Sequence, residues 1–261
     1  MRSGIGVLLA ATSVAFASPA VAAPLFSVWK MVPTTPTGEQ SVSFDSVILE
    51  QRLLPMQAVV LAEDATTESG KVIAAGTALF LVSQADGKTA FCTVKDRSVG
   101  NAAKSLFIPA LDKRPCFVDA DADGRFEASF NVFDKYGSAL APSGSLKKAA
   151  PLASPASYND LDPAEFPSTF RLSYRLDGKR EAAKARVDVS FDNGSGKLEP
   201  GVSRSQRDGA SVTTMNATIR FVSIEGDSAS VVIETADDAY LVGTSSGSFG
   251  MFETLPVFLR R

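Results

Sequence analysis

The sequence predicts an all-β protein, built as one or two β-sandwich-like (or small-barrel) domains joined by a Pro/Ala/Ser-rich segment. Three observations lead there. Apolar and polar residues alternate over short runs, most plainly where Phe126, Ala128, Phe130 and Val132 interleave with Glu127, Ser129 and Asn131. Gly, Asp and Asn break these runs every several residues, as turn chemistry requires. No helical apolar period alternates with the strands, which argues against a parallel α/β sheet.

The chain opens with a segment that reads as an export signal. Arg2 is its only charge, Ile5 to Phe16 is apolar, and Ala20-Val21-Ala22 offers a small-x-small cleavage pattern. Residues 1–22 are therefore expected to be removed, because the apolar run falls short of the ~20 residues of a spanning helix. An N-terminal β domain is expected over residues 24–136. Its strand-like runs are Val42 to Leu49, Met56 to Leu61, Leu79 to Val82, Phe91 to Val94, Leu106 to Ile108 and the Phe126 strand. Gly70 and Gly76 bracket one further short run with turns.

From residue 137 to 168 the composition shifts to Pro, Ala, Ser and Gly, with Pro142, Pro151, Pro155, Pro163 and Pro167 spaced through it. Proline lacks the donor a central strand needs, so this segment reads as a linker or an extended crossover loop. Asp160 to Glu165 has room for one helical turn. A C-terminal β domain is expected over 169–261. There Phe170, Leu172, Tyr174 and Leu176 alternate up to an expected turn at Asp177-Gly178, and Ala185, Val187, Val189 and Phe191 repeat the pattern. Ile219 to Ile224 and Ser230 to Glu234 read as a hairpin around Glu225 to Ser228. Tyr240 to Val242 and Leu255 to Leu259 supply the last strands.

The formal net charge of −3 becomes about −4 once Arg2 leaves with the signal. Such a chain has no basic footprint for nucleic acid. No later stretch is apolar enough to span a membrane as a helix, so the protein is expected in a periplasm or outside the cell. Cys92 and Cys116 are the whole cysteine complement, and in an oxidising compartment they are expected to pair.

The stretch with the most specific chemistry is Asp119-Ala-Asp121-Ala-Asp123-Gly124, three residues after Cys116. Three carboxylates at alternate positions, closed by a glycine that can turn, form a hard-oxygen set suited to Ca²⁺. From Asp119 to Phe130 the loop resembles the ligand loop of EF-hand calcium sites. The resemblance implies carboxylate ligands from Asp119, Asp121 and Asp123, the carbonyl of Arg125, and Glu127 directly or through water. It fails at Phe130, where an EF-hand carries its bidentate glutamate, and in the strand-like flanks, where an EF-hand has helices. A structural ion rather than a sensor is therefore expected. Asp96, Asp112 and Asp134 are the nearest acids able to complete its shell.

The chain contains no histidine, which removes Ser-His-Asp and Cys-His catalysis, histidine-bound zinc and histidine general bases. No residue is assigned a catalytic role. The expected function is a non-catalytic envelope or secreted protein that binds, adheres or supports, with an unidentified protein or glycan ligand and with oligomerisation open to it. The alternative is a histidine-free carboxylate hydrolase acting on polysaccharide, drawing on acids such as Glu50, Glu63 or Glu234. Trp29, the lone tryptophan, would then be a candidate sugar platform.

Overall fold

A computed structural model describes residues 25–94, 113–133, 140, 142, 144–168, 170–179, 184–192, 198–207, 209–236 and 240–244. The export segment, Leu106 to Ile108, Leu255 to Leu259 and the acids Asp96, Asp112 and Asp134 lie outside the described residues. Among those residues the regular structure is β, with short 3-10 turns at Leu146–Lys148 and Pro163–Glu165. The second of these falls in the stretch expected to make one turn, and the Asp162 side chain caps it by accepting from the Ala164 N–H at 2.8 Å.

Six strands close into an antiparallel barrel. They are β4 (Ala58–Leu61), β7 (Ala78–Gln84), β8 (Thr89–Thr93), β9 (Lys113–Val118), β10 (Arg125–Phe133) and β11 (Ala150–Leu161). Each pairs with the next in the order β4, β7, β8, β9, β10, β11, and β11 returns to β4 by setting Tyr158 against Leu61 and Leu161 against Ala58. Closure leaves this unit without a free edge. Its interior is filled from all six strands, by Val59, Leu61, Leu79, Phe91, Phe117, Phe126, Leu152 and Ala156. The rings of Phe91 and Tyr158, on strands that face each other across the barrel, lie 5.8 Å apart. A two-stranded ribbon of β5 (Ala65–Thr66) and β6 (Val72–Ile73) flanks the barrel.

The barrel runs into a sandwich through β1 (Leu25–Pro33). Phe26 pairs with Ser83 of β7, whereas Trp29 to Pro33 pair with β3 (Ser46–Pro55). The sheet continues through β12 (Arg171–Lys179), β13 (Lys184–Asp192) and β14 (Leu198–Arg207). The facing sheet is β15 (Ser211–Thr214), β16 (Ala217–Glu225), β17 (Ser228–Thr235) and, on its edge, β2 (Gly38–Ser43). Leu49, Tyr174, Val187 and Val189 of one sheet share a core cluster with Val212, Ile219, Phe221 and Val231 of the other. The last described strand, β18 (Tyr240–Thr244), pairs with the remaining side of β1.

The pairing does not divide the chain at residues 137–168. β2 joins the sheet built from residues 211–235, β3 pairs with β12, and β1 pairs with β18. The segment read as a linker or crossover contains β11, which completes the barrel. Pro155 is accommodated by a register break. Pro151 lies opposite Ala128 and Ala156 opposite Phe126, so residues 152–155 bulge out against Glu127 alone. Pro155 therefore sits where no ladder donor is required.

Two further expectations change. The run from Leu25 to Pro33 is a strand that the pattern hides, because Ser27 is buried while Phe26 and Val28 are half-exposed. Ser27 is satisfied there by accepting from Trp29 Nε1 and donating to the Leu140 carbonyl. Asp177-Gly178 is not a turn, since β12 stays paired with β13 as far as Lys179. A Cβ at Gly178 would lie 2.5 Å from the Phe44 ring, so this position needs glycine for close approach rather than for reversal. The hairpin around Glu225 to Ser228 forms as read, with Gly226 at φ 57°.

Candidate metal centre

The acidic loop is the turn of the β9–β10 hairpin. Val118 ends one strand and Arg125 begins the next, and the two strands pair from Ala128–Val118 through Phe133–Lys113. One strand further round, Cys92 and Cys116 stand directly opposite in β8 and β9 and are joined by a disulfide, both fully buried. The loop thus rises from a cross-linked part of the barrel wall.

Asp119, Asp121, Asp123 and Glu127 each present a carboxylate oxygen within 4.8 Å of the others. The spacing has a backbone cause. Asp119 accepts from the N–H of Ala122 at 2.6 Å and of Gly124 at 3.1 Å, folding the chain back over itself. Glu127 accepts from the Ala120 N–H at 2.9 Å, and Asp123 from the Arg125 N–H at 2.9 Å. Ala122 and Gly124 both take left-handed conformations, at φ 59° and 88°. That is costly for alanine and is held in place by these bonds.

A residue outside the motif completes the arrangement. The Tyr158 hydroxyl donates to Asp119 Oδ2 at 2.7 Å, and its ring stacks on Phe126 with centroids 4.3 Å apart. Burial pushes the Asp119 carboxyl up, but the bonds from Tyr158, Gly124, Ala122 and Asp123 outweigh it and hold the group below the ordinary aspartate range. Tyr158 is raised in turn, by burial and then by its bond to the Asp119 carboxylate. No local spacing pointed to this tyrosine, which lies 39 residues beyond Asp119 in the proline-rich segment.

Arg125 has a different use for its side chain. Its guanidinium donates to the Pro155 carbonyl at 3.1 Å and lies 3.7 Å from Glu63. Glu63 also accepts from the Ser157 N–H and hydroxyl, at 2.7 and 2.8 Å, and these bonds lower its carboxyl. The only cation within the hairpin turn is thus directed at the β11 bulge, and among the described residues none of the four clustered carboxylates has an ion pair.

Elsewhere, Trp29 is no exposed platform. It is fully buried against Phe80, Phe166 and Phe170, at centroid distances of 5.1, 6.1 and 5.3 Å. Among the described residues the carboxyls with shifted titration, Glu63, Asp86 and Asp119, all move downward. A glycosidase acid needs the opposite shift. Among the described residues no helix is long and apolar enough to cross a membrane. Comparison with protein-family models, curated proteins and solved structures gave no match.

Proposed function

We propose that this is an exported, non-catalytic β protein of the cell envelope or its surroundings, in which Ca²⁺ fastens the β9–β10 hairpin. Its role is binding, adhesion or structural support. The observation that carries the reading is the convergence of Asp119, Asp121, Asp123 and Glu127 to within 4.8 Å, with none of the four in an ion pair among the described residues. Like charges held this close favour either protonation or a counter-ion, and the bonds to Asp119 favour its ionised form. A turn of carboxylates with a flexible glycine suits the larger, less demanding Ca²⁺ better than octahedral Mg²⁺. Arg125 would contribute only its carbonyl, leaving its guanidinium on Pro155 and Glu63. The buried Cys92–Cys116 bridge supports an oxidising compartment.

Calorimetric unfolding with calcium and with chelator tests the proposal. A site with a dissociation constant of ~10⁻⁴ M, typical of extracellular modules, gains about 2.7 kcal/mol at a hundredfold excess of ion. For a chain of this size that raises Tm by roughly 5–10 °C. An unchanged Tm at millimolar calcium removes the ion.

A further inference from the structure

Among the described residues, β14 ends one sandwich sheet on the side away from the barrel, and β15 and β2 are the two edges of the other. An open edge presents unpaired N–H and C=O groups that can pair with another chain. Two of these edges are guarded. β15 spans only Ser211–Thr214, while β14 carries Pro200 and its ladder with β13 shifts register between Val189 and Ser190. β2 has no such guard: its sequence, Gly-Glu-Gln-Ser-Val-Ser, lacks proline, lysine and arginine, and it pairs with β17 without a register break. Its inward side is also incompletely covered. Gln40 reaches the Ile48 carbonyl of β3 at 3.4 Å, yet Gln40 and Val42 are only half-buried, as is Phe44 just beyond them.

We propose that β2 pairs with β2 of a second copy of this chain, antiparallel about a two-fold axis at Ser41. The Phe44 N–H donates to the Asp227 carbonyl at 2.8 Å. The alternation of an antiparallel ladder then turns the backbone groups of Ser43, Ser41 and Glu39 away from β17, toward the open side. The Ser43 carbonyl accepts from the Ser46 hydroxyl, which leaves it a second lone pair. With the axis at Ser41, these residues exchange hydrogen bonds with their counterparts, Glu39 of each copy standing opposite Ser43 of the other. Moving the axis to Glu39 sets two carboxylates against each other, and moving it to Val42 sets Glu39 against Asp45. Moving it to Gln40 carries Ser43 past the start of the partner strand. Charge and strand length therefore select one register. The two four-stranded sheets become one continuous sheet, and the half-buried Val42 loses its remaining contact with water. No residue of the acidic loop takes part, so the pairing stands independently of the calcium site.

Sedimentation of the full oxidised chain over a concentration series, joined to hydrogen exchange, tests the pairing. Mass is expected to double as concentration rises toward about 1 mM, and the amides of Glu39, Ser41 and Ser43 to slow in step with the dimer fraction. Ser41→Pro removes a donor that β17 does not use, and Ser41→Glu sets two carboxylates face to face at the axis. Each should raise the dissociation constant at least about tenfold, the glutamate variant serving where proline disturbs the strand. Ser211→Glu, on the guarded β15 edge, should leave the constant unchanged. A monomer throughout the series overturns the proposal. So does a dimer that survives both Ser41 variants, or a doubling of mass that leaves those three amides unprotected, since another surface then joins the copies.

Discussion

Asp119 gathers more bonds than any other residue of the acidic loop, and its titration follows from them. Its carboxyl is depressed in the folded chain, so its contribution is complete above the ordinary aspartate value of about 3.9. That contribution is lost as pH falls from there through the lower folded value, because the unfolded chain takes up the proton first. Tyr158→Phe removes one of the bonds responsible while keeping the ring that stacks on Phe126. The variant should move the Asp119 titration, followed by carboxyl NMR, up toward the ordinary value. It should cost about 1.5 kcal/mol of stability at neutral pH, the low end for a charged acceptor, because Asp119 is only half-buried. An unmoved titration would show that the backbone donors of Ala122, Asp123 and Gly124 suffice. The ligand-type residues themselves were legible because a hairpin turn gathers groups that are close in sequence. Tyr158 was not, since its approach depends on β11 lying beside β10, a contact that no spacing within the loop encodes.

Elements were legible where alternation was clean. β12 and β13 carry their apolar residues on one face, and the structure buries Leu172, Tyr174, Val187 and Val189 accordingly. In β10 the register shift between Phe126 and Ala128 divides the run, so that Phe126 packs inside the barrel while Phe130 and Val132 join the other core cluster. Legibility failed where a residue type served a purpose other than its usual one. In β11 Pro155 falls at a bulge, so a composition typical of loops forms a strand. In β1 a serine supplies hydrogen bonds inside the core, which inverts the apparent pattern. Gly178 looks like the second residue of an Asp-Gly turn, yet it lies in a paired strand beneath the Phe44 ring. Gly178→Ala should therefore force that ring aside and cost roughly 1–3 kcal/mol, the usual range for overpacking. Phe44→Leu in the same background should recover part of the loss, because a smaller side chain leaves room for the methyl. If Gly178→Ala is neutral in denaturant unfolding, the ring moves without resistance and the close contact has no energetic weight.

At the scale of the molecule, periodicity tells which face of a strand is buried but not which strand lies next to it. The closure of β11 on β4 and the placing of β2 beside β17 are long-range pairings of that kind. The disulfide is the one long-range contact that simple counting did supply, and it joins neighbouring strands of the closed barrel. On the chain-entropy model, the sequence separation of 24 between Cys92 and Cys116 gives roughly 3 kcal/mol. Replacing both by alanine should lower Tm by about 6–12 °C for a chain of this size. The calcium increment should survive in that variant. Six consecutive β9–β10 pairs, from Ala128–Val118 to Phe133–Lys113, continue to set the hairpin that carries the carboxylates. Loss of the increment together with the bridge would mean that the ladder alone does not hold the loop, and that the cross-link positions the acidic cluster as well as stabilising the barrel.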